Sequence, residues 1–193
     1  MNFLGHFSLS QNNPLLLTGN FLGDFVKGKI QGFDKQILNG IRLHRFIDQF
    51  TDENIHVRNS KDLLLPHYGH YSRVIVDIFF DHFLAINWVK YHDSPLDVYA
   101  KKCYKILLEQ KSIFPHWAIK TIDNMSLYNW LKNYQYAEGI KRSLYGISKR
   151  ARFQNNMDEA YIHLEEHRKA FDVNFNLFYP EIQKASRKFI EQL

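Results

Sequence analysis

Four pairs of polar side chains stand four residues apart in the first part of the chain: Asn2 and His6, Asn20 and Asp24, His44 and Asp48, Asp77 and Asp81. In an α-helix, residues i and i+4 project from one face, one turn apart. Carboxylate, imidazole and amide groups are also the donors that hard and borderline divalent cations accept. Helical proteins build metal centres from such side chains, projected inward from several helices. Two carboxylates and two histidines would leave positions open for water and substrate, as hydrolysis requires. The same residues have a plainer use as caps, core hydrogen bonds and ion pairs, Asp48 with Arg45 among them.

The stretch Val76–Leu84 sharpens the question. Its apolar residues are Val76, Ile78, Phe79, Phe80, Phe83 and Leu84, yet Asp77, Asp81 and His82 sit among them. On a helix the two carboxylates share a face, and their repulsion in a buried setting demands a cation or a shared proton. His82 lies about 100° further round and borders that face.

Stepping out to the elements that would carry these groups, helical periodicity dominates and strand alternation is nearly absent. Residues 1–10 read as a short helix or turn. Asn13-Pro14 starts a helix through Gly19 and Asp24 to about Lys27, closed by Gly28. Asp34 caps the next, which carries His44 and Asp48. A helix over about 54–65 stops at Pro66, and a long one spans about 72–91. Another covers about 96–109, and breaks at Pro115 and Asp123-Asn124 bound two shorter ones. Residues 137–150 form a further helix, 151–156 a polar connector, and the last helical region bends near Pro180. With no repeat and no linker, residues 1–193 read as a single all-α domain.

Bulk properties exclude several classes. One cysteine, Cys103, rules out an internal disulfide framework and suits a reducing compartment, where its thiol reads as a buried structural group. No run of eighteen apolar residues suggests a membrane span and no secretory leader is expected, so a cytoplasmic setting follows. A nucleophile elbow, a Gly-rich phosphate loop, a paired CxxC and an HExxH helix are all missing from the sequence. The net charge of +5 favours an acidic partner. The basic residues are scattered, which argues against nucleic acid.

The pieces Asn2-Phe3-Leu4 with His6, Gly19-Asn20 with Asp24-Phe25-Val26, Gly40 with His44-Arg45 and Ile47-Asp48, and Val76-Asp77 with Asp81-His82-Phe83-Leu84 follow one another in a familiar order. Thinner matches at Met125, Trp130-Leu131, Tyr134, Arg150 and Pro180 continue it. In these residues the chain resembles the acyl carrier protein phosphodiesterase family, a remote branch of the HD-domain phosphohydrolases. The doublet that names the wider group is reversed here, as Asp81-His82.

The resemblance implies an HD-domain-like all-α fold. It also implies hydrolysis of the phosphodiester that joins 4′-phosphopantetheine to a serine of holo-acyl carrier protein. A divalent metal would assist, Mn2+ foremost, with Mg2+, Fe2+ or Co2+ as alternatives. Under that implication His6, Asp24, His44, Asp48, Asp77 and Asp81 are the expected metal ligands. Asp24, His44, Arg45, Asp77 and His82 are the expected catalytic set, Arg45 offsetting phosphate charge and His82 acting as ligand or acid. The acidic carrier would meet a basic face drawn from Lys27, Lys29, Arg42, Arg45 and Lys149-Arg150. A nucleotide or other small phosphoester is the competing substrate. A non-catalytic helical binding module is the competing class.

Overall fold

The computed structural model describes residues 1–28 and 32–193, and among them every regular element is helical. Helix α1 (Phe3–Ser8) begins at Asn2, whose side chain accepts from the Phe3 N–H. Helix α2 (Pro14–Leu22) starts as expected, with Asn13 accepting from Leu15 and Leu16 and Pro14 in the first turn. It stops short of Asp24, because Gly23 closes it with its N–H on the Gly19 and Asn20 carbonyls. Helix α3 (Lys35–Glu53) is capped by Asp34, and α4 (Ile55–Tyr68) by Asn54. Helix α4 passes through Pro66 and ends instead at Gly69, which has φ +53°.

The expected helix over 72–91 is two helices, α5 (Ser72–Ile86) and α6 (Trp88–Tyr91). Asn87 divides them, and its side-chain amide, at 2.9 Å, shares the Phe83 carbonyl with its own backbone N–H, at 3.1 Å. Helix α7 (Leu96–Glu109) matches the sequence expectation. Helix α8 (His116–Leu127) runs straight through Asp123-Asn124, and the break falls at Asn129, the left-handed residue before α9 (Trp130–Asn133). Helix α10 (Ala137–Ser148), α11 (Tyr161–Glu166) and α12 (Arg168–Glu191) complete the order. The last helical region divides at His167, while α12 continues through Pro180.

Helix α5 lies in the core, against α1, α4, α10 and α12. Its Phe79 and Phe80 pack on Phe171, Phe175 and Phe178 of α12, with ring centroids 5.2 to 5.7 Å apart. Each such ring, fully buried, contributes about 1.5–3 kcal/mol by its removal from water. None of the described helices is long and apolar enough to cross a membrane.

Helices α2 and α3 form the closest pairing. A Cβ on Gly19 would meet the Ile37 carbonyl at 2.0 Å and the Gly40 Cα at 2.8 Å; one on Gly40 would meet the Leu16 carbonyl at 2.3 Å. Backbone touches backbone here, which glycine alone permits. The contact sets Asn20 of α2 beside His44 of α3, one turn beyond Gly40.

Gly40→Ala is therefore expected to push α2 from α3 and to cost about 1–3 kcal/mol, a fall of several degrees in Tm. Gly146→Ala, where an added Cβ meets nothing within 4 Å, should be neutral or stabilising. Thermal unfolding followed by circular dichroism compares them, and equal melting points would remove the tight crossing.

Candidate active site

Helix α1 is too short to persist alone, so its place is set by what grips it. Asp81 of α5, fully buried, accepts the N–H groups of Asn2, Leu4 and Gly5 at 3.0, 2.8 and 3.1 Å. The Met1 ammonium sits 2.6 Å from Asp77 Oδ1. Burial opposes that ammonium, but Asp77 beside it, with Asp81 and Asp48, raises its pKa overall. Burial pushes the Asp81 carboxyl up to about 7, against the Met1 ammonium and the three N–H groups. These contacts fix His6 one turn along α1, its N–H on the Asn2 carbonyl.

Asn20, fully buried, joins three elements through one carboxamide. Its Oδ1 accepts from His6 Nδ1 at 2.9 Å and from His44 Nδ1 at 3.2 Å. Its Nδ2 donates to the His6 carbonyl at 2.7 Å and to Ser10 Oγ at 3.1 Å. An oxygen that accepts both bonds requires the proton of each imidazole on Nδ1. Both Nε2 lone pairs then face the other way, towards Asp48. His6 Nε2 is 3.3 Å from Asp48 Oδ1 and His44 Nε2 is 3.3 Å from Asp48 Oδ2. The two rings stack at 4.2 Å, and Gly23 leaves room for His44, since a Cβ there would meet its ring at 2.2 Å.

The ligand atoms of His6, His44 and Asp48 all lie within 4.8 Å of one another. Three electron-rich atoms thus converge, and only a proton or a metal cation relieves them. Each imidazole meets its own oxygen of Asp48 at 3.3 Å, a spacing that leaves the three side chains able to share one ion. Three protein donors with an open side are also the pattern of a catalytic metal rather than a structural one. On that side, Asp24 Oδ1 lies 3.8 Å from His44 Nε2, with its side chain about half exposed.

The electrostatics agree. Burial would lower His44, but its bond to Asp48 and the charges of Asp24 and Asp48 outweigh burial and raise it. Burial and the neighbouring His44 lower His6 despite Asp48. Burial would raise Asp48, yet its bonds to His44 and His6 hold it well below the usual carboxylate range.

Of the six ligands expected from the sequence, the structure gathers His6, His44 and Asp48, with Asp24 at the edge. Asp77 and Asp81 do not join them, their oxygens being engaged by Met1 and the first turn of α1. His82 faces elsewhere: Nδ1 donates to the Tyr134 carbonyl at 2.7 Å and Nε2 lies 3.4 Å from Arg168 Nη1. Burial lowers its pKa. Arg45 follows His44 and is exposed, its guanidinium on the Gly28 carbonyl at 2.9 Å. Lys27, Arg42 and Lys149-Arg150 are likewise exposed, and Lys29 lies outside the described residues. Sequence reasoning paired Asn20 with Asp24 and missed its two imidazole partners; a buried amide beside glycine in an apolar helix was the available signal. A second group, His163, Glu166 and His167, sits at the surface with Glu166 exposed, and has no such buried orienting partner among the described residues.

Residues 1–182 match the family described as acyl carrier protein phosphodiesterase. Proteins of that name from Pectobacterium atrosepticum and an Escherichia coli strain are 30% and 31% identical to this chain, over 97% of it and 98% and 99% of their own lengths. One from Klebsiella pneumoniae is 28% identical over 96% of this chain and 97% of its own. No solved structure matches the chain.

His44 and Asp48 stabilise the cation-free protein within limits set by their shifts. The contribution of His44, whose folded pKa is raised, is full below about pH 6.5 and fades as pH rises through that folded value. That of Asp48, whose folded pKa is depressed, is present above about pH 4 and fades as pH falls. A metal ion requires neutral imidazoles, so Zn2+ affinity should rise with pH across the His44 titration, which Asp48 and Asp24 shift upward. His6 contributes no such dependence at neutral pH. Calorimetric titrations between pH 5.5 and 8 check this, and a pH-independent affinity would exclude His44 as a ligand.

Proposed function

The chain belongs to the acyl carrier protein phosphodiesterase family, and from that premise we propose that it hydrolyses the phosphodiester between 4′-phosphopantetheine and the serine of holo-acyl carrier protein, aided by a divalent metal ion. The observation that carries the proposal is the single Asn20 oxygen that turns both His6 and His44 Nε2 towards Asp48.

His6 Nε2, His44 Nε2 and an Asp48 oxygen would hold the ion. A divalent cation there supplies Lewis-acid stabilisation of phosphoryl charge and lowers the pKa of water. The chain's own residues do the rest. Asn20 keeps the Nδ1 proton of both rings in place, so each Nε2 faces the ion site and only the extra proton of a charged His44 has to leave. Arg45, adjacent to His44 and free of any described carboxylate partner, offsets charge on the non-bridging oxygens. Asp24 Oδ1, on the solvent side of His44, takes the proton of the attacking water and can return it to the departing serine oxygen. Asp77 and Asp81 act as positioning residues, since they hold the helix that carries His6. The net charge of +5 favours encounter with an acidic carrier.

Incubation of holo-acyl carrier protein with the enzyme and Mn2+ should reduce the carrier mass by about 340 Da, the size of the prosthetic group. Asp48→Asn should lower kcat/KM by about a thousandfold or more, and Asn20→Ala should weaken Mn2+ binding by about 10–100-fold. An unchanged carrier mass, with turnover instead of a nucleotide in a parallel panel, would move the substrate elsewhere.

A further inference from the structure

A cavity of 610 Å³ opens between the start of α1 and one face of α10, and no part of the hydrolytic cluster lines it. Its α10 wall is Gly139, Arg142, Ser143, Tyr145, Gly146 and Ile147, with Arg150 just past the helix end. All but Tyr145 step from Gly139 by three, four, seven, eight or eleven residues, so most of the wall is one helical face. The facing wall includes Phe3 and Trp130, whose rings lie 6.5 Å apart, and Tyr134. Asn2 and Phe3 also belong to the turn that fixes His6, because the His6 N–H bonds the Asn2 carbonyl at 3.1 Å. The cavity therefore begins one helical turn, about 5.4 Å of rise, from a proposed metal ligand.

Its chemistry is mixed in a particular way. Aromatic rings supply apolar surface, while Asn133 and Ser143 offer short polar groups. The arginine ion pairs among the described residues are Arg73–Asp52 and Arg168–Glu165, so Arg142 and Arg150 carry uncompensated charge at this wall. A volume of this size suits a small organic ligand, and the polar groups are few enough to fix its direction.

We propose that this cavity receives the pantetheine arm of the carrier while its phosphodiester lies at the His6–His44–Asp48 cluster. The inference rests on the proposed phosphodiesterase function. The arm has a branched apolar carbon that suits Phe3 and Trp130. Its two amides offer carbonyls to Arg142, Arg150 and Asn133 and N–H groups to Ser143. Recognition of the arm, separate from recognition of the phosphodiester, would make the enzyme select prosthetic-group esters over small diesters.

Gly146 gives the test, because it lines the cavity and a Cβ there meets nothing within 4 Å, so a larger side chain starts out in open space. Gly146→Leu should fold with an equal or higher Tm. Its KM for holo-acyl carrier protein should rise at least tenfold, while Mn2+-dependent turnover of bis(p-nitrophenyl) phosphate, which lacks an arm, stays within twofold of wild type. Pantetheine itself, titrated against tryptophan fluorescence, should give a saturable change in the wild type that Gly146→Leu and Trp130→Phe both lose. Asp48→Asn should keep that change while losing hydrolysis. Pantetheine binding without hydrolysis of the carrier would sink the phosphodiesterase reading and leave the cavity assignment standing. Absence of pantetheine binding, or unaltered KM and binding in Gly146→Leu, would overturn the assignment, as would a fatty acid that binds the cavity in place of pantetheine.

Discussion

One carboxamide sets the terms for the whole active-site region. Asn20 has two acceptor positions on its oxygen and two N–H donors, and all are used: two imidazoles on one side, the His6 carbonyl and Ser10 hydroxyl on the other. An aspartate in its place could accept from both rings but would have no hydrogen for the carbonyl or the hydroxyl. A leucine of similar size would leave two buried ring N–H groups unpaired, at about 1–3 kcal/mol each. Because Asn20 fixes both rings by their Nδ1 atoms, the Nε2 atoms are left to converge on Asp48. The demand for a cation is thus created by a neutral side chain on the opposite edge of each ring from where the cation would sit.

That arrangement depends on backbones being held where a side chain as short as asparagine can reach. Gly19 and Gly40 let α2 and α3 touch, which places Asn20 and His44 side by side. The third partner, His6, rides on a helix of six residues that owes its stability to tertiary contacts. Asp81 takes three of its N-terminal N–H groups, Asp77 takes the Met1 ammonium, and Ser8 meets Tyr179 of α12 at 2.8 Å. An ionised carboxyl buried without such partners would cost several kcal/mol. Here the donors offset part of that cost, burial still holding the Asp81 carboxyl up at about 7, and the carboxyl in turn aligns the helix that supplies them.

The fold class was legible from periodicity, and the caps at Asn13-Pro14 and Asp34 placed the starts of α2 and α3 correctly. The i, i+4 pairs identified which side chains share a face of one helix. They carried no information about which faces meet, and there the expectations diverged from the structure. Asp77 and Asp81 did mark a negative pair needing compensation, Asp81 buried and Asp77 half-buried, but the compensation came from the Met1 ammonium and backbone N–H groups, which no side-chain pattern encodes. Asn87 and Asn129 broke helices where Asp123-Asn124 did not, because each made or adopted something local: a side-chain bond to a carbonyl, or a left-handed backbone. The cluster of His6, His44 and Asp48 required three helices to converge, and that is information about packing rather than spacing.

His82 shows how the same logic limits the chemistry. It neighbours Asp81 in sequence, yet lies about 100° round α5 and so faces α9 and α12 instead of α1. Its Nδ1 proton is committed to the Tyr134 carbonyl, and its Nε2 accepts from Arg168, which also pairs with Glu165. Burial keeps the ring neutral, so it has no second proton to give. To serve as an acid it would have to break a buried 2.7 Å bond and gain a charge in an apolar setting beside a guanidinium, each step unfavourable. Its bond to Tyr134 instead ties α5 to the wall of the arm-sized cavity, just as Asp81 ties α5 to the turn bearing Asn2 at the cavity's other side. Helix α5 is thereby the common base of the cluster and the cavity. At the exposed edge of the cluster it is Asp24 that solvent reaches, with its Oδ1 3.8 Å from His44 Nε2.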